Sequence, residues 1–224
     1  MPQLRAIIFD LDGTLLDSAP DIRQALNMTL TADARRDVTL DEVKSMVGDG
    51  LLTTLNRAYA ATGESIPPAD SYNKFQEFVT HYRSLKPDPA QIYPHVIDTL
   101  KALAARGVKL GLCTNKQEAS TVRLLEQLDL APYFGFVAGG DTFPVHKPNP
   151  GHVLGVLEKL GVKAEEALMV GDSANDVKAA EGAGMKCLLV AHGYGADMEN
   201  LGASGLISGF DVLEQAALKL GFTL

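Results

Sequence analysis

Two carboxylates stand two residues apart near the N-terminus, directly after a short apolar run. Asp10 and Asp12 follow residues 6–9, and Gly13 comes next. Two acids so close together repel each other unless a proton or a cation lies between them. Mg2+, a hard ion that needs only a few carboxylates, would supply that charge. The stretch indicates a metal-dependent site, although acidic loop residues at the end of an ordinary strand would have the same composition.

A second acidic pair lies far along the chain. Asp172 and Asp176 follow the apolar run 167–170 and are four residues apart. If a helix begins after Ser173, both side chains can face the same crevice. Packing alone does not explain a second acidic cluster at a second strand end, and four carboxylates brought together would require a cation.

Phosphate-binding candidates lie between these two pairs. Thr114 and Asn115 end the apolar run 108–113 and precede a predicted helix at 118–128. A hydroxyl and main-chain amides at a helix N-terminus suit phosphate oxygens, but threonine is also a common helix cap. Lys147 stands before Pro148 in a stretch that proline keeps out of regular structure. A fixed ammonium there would neutralise charge on a nucleophile and a phosphate.

The elements that position these residues alternate strand and helix from residue 93 onward. This alternation predicts a doubly wound parallel sheet with right-handed crossovers. In such a sheet the ligand crevice lies outside the carboxyl ends of the strands, where the strand order reverses. We therefore expect the acidic, hydroxyl and ammonium side chains to meet at one sheet edge.

Residues 17–91 follow a different pattern, because the segment lacks a convincing buried strand and its apolar residues recur at helical spacing. Ser18, with proline and acid soon after it, indicates a helix start, and Thr39 with Glu42 predicts a capping box. Gly48 and Gly50 interrupt the helical pattern at a turn where backbone could approach a ligand; a plain interhelix turn fits equally well.

Two cations lie close to this glycine turn in the sequence. Lys44 and Arg57 could meet a substrate carboxylate, although solvated surface charge is the simpler interpretation of each.

Composition narrows the function classes. The net charge of −8 over 224 residues argues against a nucleic-acid-binding surface, which would be basic. The chain has no apolar run approaching the roughly 18 to 20 residues that cross a bilayer. The N-terminus lacks a signal-peptide pattern, and Cys113 and Cys187 lie in apolar runs typical of buried thiols in a reducing compartment. These features predict a cytoplasmic protein without nucleic-acid or membrane partners.

Taken in order, four stretches resemble the motifs of the haloacid dehalogenase-like (HAD) superfamily of phosphotransferases. They are Asp10-Leu11-Asp12-Gly13-Thr14, Thr114-Asn115, Lys147-Pro148 and Gly171-Asp172-Ser173-Ala174-Asn175-Asp176. The resemblance covers essentially the whole chain. It implies an α/β fold, with a Rossmann-like core of residues 1–16 and 92–224 and an inserted all-helical cap domain at 17–91.

The resemblance also implies a mechanism. By it, Asp10 is the nucleophile that forms an aspartyl phosphate and Asp12 is the general acid and base. Thr114 and Lys147 hold the transferring oxygens, and Asn115, Gly48 and Gly50 are further substrate-binding candidates. Mg2+ is expected on Asp10, Asp172 and the backbone carbonyl of Asp12. Asp176 is either a further ligand or, as we favour, a residue that orients these ligands. The acid at position 12 favours phosphoryl chemistry, since the dehalogenase branch lacks it.

Three further stretches are similar to phosphoglycolate phosphatases: Asp17-Ser18-Ala19-Pro20-Asp21, Val47-Gly48-Asp49-Gly50 and His192-Gly193-Tyr194-Gly195. This similarity implies hydrolysis of 2-phosphoglycolate, a small phosphorylated metabolite, by a monomer or homodimer. Three alternatives stay open: another small phosphate-ester or pyrophosphate hydrolase, a sugar-phosphate mutase of the same superfamily, and a non-enzymatic receiver-like switch. Receivers are about half this length and lack the helical insertion.

Overall fold

Six parallel strands form one sheet in the computed structural model, which describes residues 2–224. The strands occur along the sheet in the order β3-β2-β1-β4-β5-β6. Their bounds are β1 (Ala6–Phe9), β2 (Lys109–Cys113), β3 (Phe136–Ala138), β4 (Ala167–Gly171), β5 (Lys186–Val190) and β6 (Gly205–Ile207). The predicted doubly wound parallel sheet is confirmed.

The strand order reverses at β1, which is buried along its whole length. Ile8 is in register with Gly111 of β2 on one side and with Met169 of β4 on the other. The carboxyl ends of β1, β2 and β4 therefore lie side by side, at the position where open α/β sheets form their ligand crevice.

Helices cover both faces of the sheet. The core helices are α5 (Val96–Ala105), α6 (Glu118–Gln127), α7 (Pro150–Leu160), α8 (Ala174–Gly182) and α9 (Leu213–Lys219). Ile7 and Phe9 of β1 pack in one apolar cluster with α5, α6 and α9. Ala6 and Ile8 pack in another with α7 and α8. Alternate residues of one strand thus serve opposite faces, as the strand period requires.

Between β1 and β2 the chain is helical, as predicted. The helices are α1 (Ala19–Ala32), α2 (Leu40–Met46), α3 (Leu51–Thr62) and α4 (Ser71–Ser84). They share an apolar cluster of their own that includes Ile22, Leu26, Val43, Leu55 and Phe78. Division of the chain into two domains at residues 17 and 91 stays a prediction.

The two predicted helix starts have different outcomes. Thr39 and Glu42 form the predicted capping box at the start of α2. Ser18 does precede α1, but its side chain makes no capping hydrogen bond because its backbone is already helical (φ −85°, ψ −8°). The amide of Ala19 instead donates to the Tyr194 hydroxyl at 3.0 Å, so a distant core residue caps this helix.

Both cysteines are buried free thiols, as predicted. Burial raises the pKa of Cys113 to about 12 and that of Cys187 still further. Both thiols are therefore protonated and unreactive near neutral pH.

Among the described residues, no helix combines the length and apolar character needed to span a membrane.

Candidate active site

Three of the four predicted acids converge at the sheet edge. Asp10 follows β1, Asp172 follows β4, and Asp176 lies in the first turn of α8. All three are buried, and one carboxylate oxygen from each lies within 4.8 Å of the others. The strand order brings them together, because β1 and β4 are neighbours although their sequences are about 160 residues apart.

The electrostatics of this cluster fit a divalent cation. Burial raises the pKa of Asp10 to about 6, with Asp176 and Asp12 adding to the effect and Lys147 opposing it. Burial, then Asp176 and Asp10, raises the pKa of Asp172 well above its ordinary range. When all three acids are ionised, the positive charge within the cluster is too small to balance them. Three carboxylates are also a donor set suited to a hard ion such as Mg2+.

Lys147 supplies one positive charge at this edge. Its ammonium lies 2.9 Å from Asp10 Oδ1 and 2.6 Å from Asp176 Oδ1, and its side chain is buried. Burial alone would lower the pKa of Lys147, but attraction to Asp10 and Asp176 raises it above the ordinary value. Lys147 is therefore a fixed cation next to the predicted nucleophile.

His152, which sequence reasoning missed, holds the backbone of Lys147. The Lys147 amide donates to His152 Nδ1 at 3.2 Å, and His152 Nε2 lies 3.0 Å from the Gly139 carbonyl. This pattern requires the neutral Nε2–H tautomer, and burial together with Lys147 lowers the pKa of His152 to about 4. A histidine in the first turn of α7 carries no local signal of this role.

Both carboxylate oxygens of Asp176 accept hydrogen bonds from the protein. Its Oδ2 accepts from the amides of Asp172 (3.1 Å) and Ser173 (3.0 Å) and from the Ser173 hydroxyl (2.8 Å). Its Oδ1 accepts from Lys147. Because both oxygens already bind donors, the contacts favour the predicted orienting role over direct metal ligation.

Asp12 lies apart from the acidic cluster because a second lysine binds it. Lys116 Nζ is 3.0 and 3.1 Å from the two carboxylate oxygens of Asp12, and the lysine side chain is completely buried. The ring of Tyr82, from α4, covers the ammonium at 4.8 Å. Sequence reasoning missed Lys116, although its place directly after Thr114-Asn115 at a strand end was a usable signal.

A small enclosed cavity of about 20 Å³ is lined by all the predicted phosphate-binding residues except Lys147. Asp10, Asp12, Thr114 and Lys116 line its core side, while the backbone around Gly48 and Gly50 lines the other. Both glycines have positive φ, 125° and 87°, which explains their residue type. The predicted catalytic and binding residues thus meet at this pocket, except Lys147, which contacts Asp10 without lining the pocket.

Asn115 lines the same pocket and also binds two carbonyls of the protein. Its Nδ2 donates to the carbonyls of Gly48 (3.0 Å) and Lys147 (2.9 Å). Both N–H groups of the carboxamide thus donate to protein carbonyls, and Asn115 joins the glycine turn to the loop that carries Lys147.

The glycine turn is held against the core by a second asparagine. Asn175 Nδ2 lies 2.7 Å from Asp49 Oδ1 and 3.3 Å from the Gly48 carbonyl. On its other side Asp49 pairs with Arg57 at 2.5 Å, and Arg57 also donates to the Met46 carbonyl at 2.8 Å. The contacts of Arg57 therefore stabilise the glycine turn.

The stretch His192-Gly193-Tyr194-Gly195 wraps around Asp172. A Cβ on Gly193 would lie 2.1 Å from Asp172 Cβ, and one on Gly195 would lie 2.0 Å from the Asp172 carbonyl oxygen. The Tyr194 amide donates to Asp172 Oδ2 at 2.6 Å, and its hydroxyl donates to Asp17 at 2.6 Å. Tyr194 thus connects an acid of the cluster to the start of the helical segment.

A larger cavity of about 670 Å³ opens between the helical segment and the core. Asp12, Asp172 and Tyr194 line it on the core side, and Lys44 and Arg57 line it on the helical side. Asp12 borders both cavities, so the enclosed pocket and the open cavity meet at this side chain.

Comparisons with known proteins find relatives that match most of the chain. A family model described as haloacid dehalogenase-like hydrolase matches residues 7–190. The chain is 43% identical over 187 residues to a phosphoglycolate phosphatase of Agrobacterium fabrum, covering 84% of this chain and 80% of that one. It is 40% identical over 225 residues to a phosphoglycolate phosphatase of Rhodospirillum rubrum, covering 97% and 91%.

A solved structure has the same fold over nearly the whole length. The crystal structure of a predicted phosphoglycolate phosphatase from Haemophilus somnus 129pt is similar with a TM-score of 0.90 at 27% identity. The match covers 96% of this chain and 98% of that chain, so it includes the helical segment as well as the sheet.

Proposed function

The chain belongs to the haloacid dehalogenase-like hydrolase family and is a phosphatase, and from this premise we propose that it hydrolyses 2-phosphoglycolate to glycolate and phosphate through a phosphorylated Asp10. One observation carries the proposal: Asp10 borders an enclosed pocket that also contains Asp12, Thr114 and Lys116. Lys147 lies 2.9 Å from its carboxylate.

In the first step an Asp10 oxygen attacks phosphorus while the bond to the ester oxygen breaks. Thr114 and Lys147 hold the phosphoryl oxygens, whose charge their hydroxyl and ammonium offset. Asp12 gives its proton to the leaving alkoxide, which departs as an alcohol. Because Lys116 binds both oxygens of Asp12, we expect the Asp12 carboxyl to turn from Lys116 toward the leaving oxygen when substrate binds.

In the second step Asp12, now a carboxylate, takes a proton from a water molecule. The water oxygen attacks the phosphorus of the aspartyl phosphate and the bond to Asp10 breaks. Phosphate leaves, and both aspartates regain their starting forms. One pair of carboxylates two residues apart thus serves as nucleophile and as acid and base.

Mg2+ fits this site as the resident ion. Asp10, Asp172 and the backbone carbonyl of Asp12 would hold it, and Asp176 would orient Asp172 through its amide. When bound, the ion supplies Lewis-acid stabilisation of the phosphoryl oxygens and offsets repulsion between the anionic nucleophile and its anionic target. With the carboxylates of Asp10, Asp172 and Asp176 against the ammonium of Lys147, a divalent charge would bring this cluster to neutrality.

We further propose that residues 17–91 act as a cap domain over the site. The glycine turn closes the enclosed pocket and is held by hydrogen bonds from Asn115 and Asn175. Closure over a small ester would exclude bulk water from the first step. Reopening would then release the product and let solvent exchange with the site, which completes turnover.

A kinetic screen of a few dozen phosphate esters with Mg2+ tests the substrate. We expect 2-phosphoglycolate to have the highest kcat/KM and to release stoichiometric phosphate. Highest activity on another ester, or on pyrophosphate, would replace the substrate but keep the reaction class. Phosphate release that is negligible, with isomerisation of a sugar phosphate primed by a bisphosphate, would identify a mutase and contradict the proposal.

A further inference from the structure

The open cavity on the far side of Asp12 is where the leaving group must lie. Asp12 protonates the ester oxygen in the proposed function, so the rest of the leaving group extends from that side chain. Asp12 lines both the enclosed pocket and the larger cavity. With the phosphoryl group beside Asp10, the carboxylate of phosphoglycolate therefore extends into the larger cavity.

That cavity would repel a carboxylate without a dedicated cation. Asp12, Asp41, Asp49 and Asp172 all line it. An anionic tail surrounded by these side chains would be destabilised by like-charge repulsion. Some positive side chain in the lining must offset this charge if the substrate carries a carboxylate.

Most cations near the cavity are already bound to carboxylates of the protein. Arg57 pairs with Asp49 at 2.5 Å. Lys116 binds both oxygens of Asp12 and is completely buried. Lys147 is shared by Asp10 and Asp176. A substrate carboxylate could use one of these cations only by displacing an acid that holds it, a change that costs least at the exposed pair of Arg57 and Asp49.

Lys44 is the exception. It lines the cavity from α2, is half-buried, and forms no ion pair with any acid of residues 2–224. Its ammonium lies 5.8 Å from the centroid of the Tyr194 ring, which belongs to the core loop around Asp172. Lys44 therefore reaches from the helical segment to the core, across the space that the leaving group would occupy.

We propose that Lys44 binds the carboxylate of the substrate and selects phosphate esters whose carboxylate is attached to the carbon that bears the ester oxygen. This inference rests on the proposed function, since it names the residue that distinguishes phosphoglycolate from an uncharged ester. A flexible ammonium without a protein partner can pair with an incoming anion without breaking an existing ion pair.

The test compares two substrates that differ in the carboxylate. Wild type, Lys44→Met, Lys44→Gln and Lys44→Arg are assayed on 2-phosphoglycolate and on ethyl phosphate with Mg2+. We expect Lys44→Met and Lys44→Gln to lower kcat/KM for 2-phosphoglycolate about 10- to 100-fold, the range of a charged hydrogen bond. Ethyl phosphate should change less than about twofold, and Lys44→Arg should recover part of the loss.

Lys86→Met is the matched control, because Lys86 is an exposed lysine of the same segment that does not line the cavity. It should leave both substrates unchanged. Equal losses on both substrates in Lys44→Met, or no loss on either, would overturn the inference. Selectivity that survives in Lys44→Met but disappears in Arg57→Met would assign the carboxylate to Arg57, the other cation that lines the cavity.

The same data separate this inference from the proposed substrate. If wild type does not prefer 2-phosphoglycolate over ethyl phosphate, the substrate proposal fails and the role of Lys44 fails with it. If wild type has the preference and Lys44→Met keeps it, only the role of Lys44 is wrong.

Discussion

The ion pairs at the sheet edge and those on the helical segment opposite it differ in their exposure to solvent. At the sheet edge, Lys147 and Asp176 are 2% and 0% exposed and lie 2.6 Å apart. On the helical face, Arg57 and Asp49 are 42% and 39% exposed. A buried pair cannot be broken without stranding a charge, whereas an exposed pair contributes little and can rearrange. The fixed edge suits chemistry common to the family, and the adaptable face suits substrate recognition.

The largest effect at the sheet edge is expected from substitution of Asp10, the proposed nucleophile. Asp10→Asn should lower kcat for p-nitrophenyl phosphate with Mg2+ by about 10⁴-fold or more, because no phosphoryl group can then be accepted. Circular dichroism should show an intact fold, since the amide is nearly isosteric. A variant with near-full activity would refute the assignment of Asp10.

The contrast between buried and exposed pairs predicts different stability losses. Lys147→Met should lower the free energy of unfolding by about 3–5 kcal/mol at neutral pH without Mg2+, because Asp10 and Asp176 lose their shared cation. Arg57→Met, the exposed counterpart, should cost about 1 kcal/mol or less. Urea denaturation of both variants measures the difference, and equal losses would contradict the contrast.

The metal-free sheet edge should also respond to pH. The pKa of Asp10 rises from 3.8 to about 6 on folding, chiefly through burial. Between these values the folded protein keeps a proton that the unfolded chain has released. The free energy of unfolding should therefore fall as pH rises through this window, with the stabilisation complete below it.

Urea titrations at pH 4, 5 and 6 in EDTA check this dependence, and Asp10→Asn should flatten the curve. Addition of Mg2+ should restore stability toward pH 6, because the ion favours ionised carboxylates in the folded protein. Stability that rises with pH over the same window in EDTA, beyond what Asp10→Asn shows, would reverse the assigned sign.

A moderate effect is expected at the connection between the two regions. Tyr194→Phe removes a hydroxyl that donates to Asp17 and accepts from the Ala19 amide. The loss should be about 1–2 kcal/mol of stability, with faster amide hydrogen exchange in the first turn of α1. Tyr133→Phe, at a partly exposed position away from the site, serves as the control. Unchanged exchange at α1 would show that the hydroxyl does not hold the helix.

Much of the fold was predictable because short-range patterns determine it. The apolar run at Ala6–Phe9 is the buried strand that its composition indicated. The Thr39–Glu42 capping box also forms as predicted, since it depends on residues three positions apart. The acids that converge were recognisable because each follows such a strand, and parallel strands share one edge for their carboxyl ends.

Ser18 shows where local reasoning fails. Its type and position indicated a side-chain cap, but the Tyr194 hydroxyl satisfies the first-turn amide instead. The two residues are 176 positions apart in the chain, so the pattern around Ser18 contains no sign of the interaction.

By itself the sequence determined the strands, the helical insertion and which acids follow the strand ends, because periodicity and strand-end position are properties of neighbouring residues. Only the tertiary structure decided which cation each acid binds: Lys116 for Asp12, and Lys147 for Asp10 and Asp176. The first two pairings join segments more than a hundred residues apart. The pairing of Lys147 with Asp176 depends on how α8 packs against the loop that carries Lys147. An ion pair depends on the distance between two side chains in the folded protein, and the order of the strands in the sheet determines that distance.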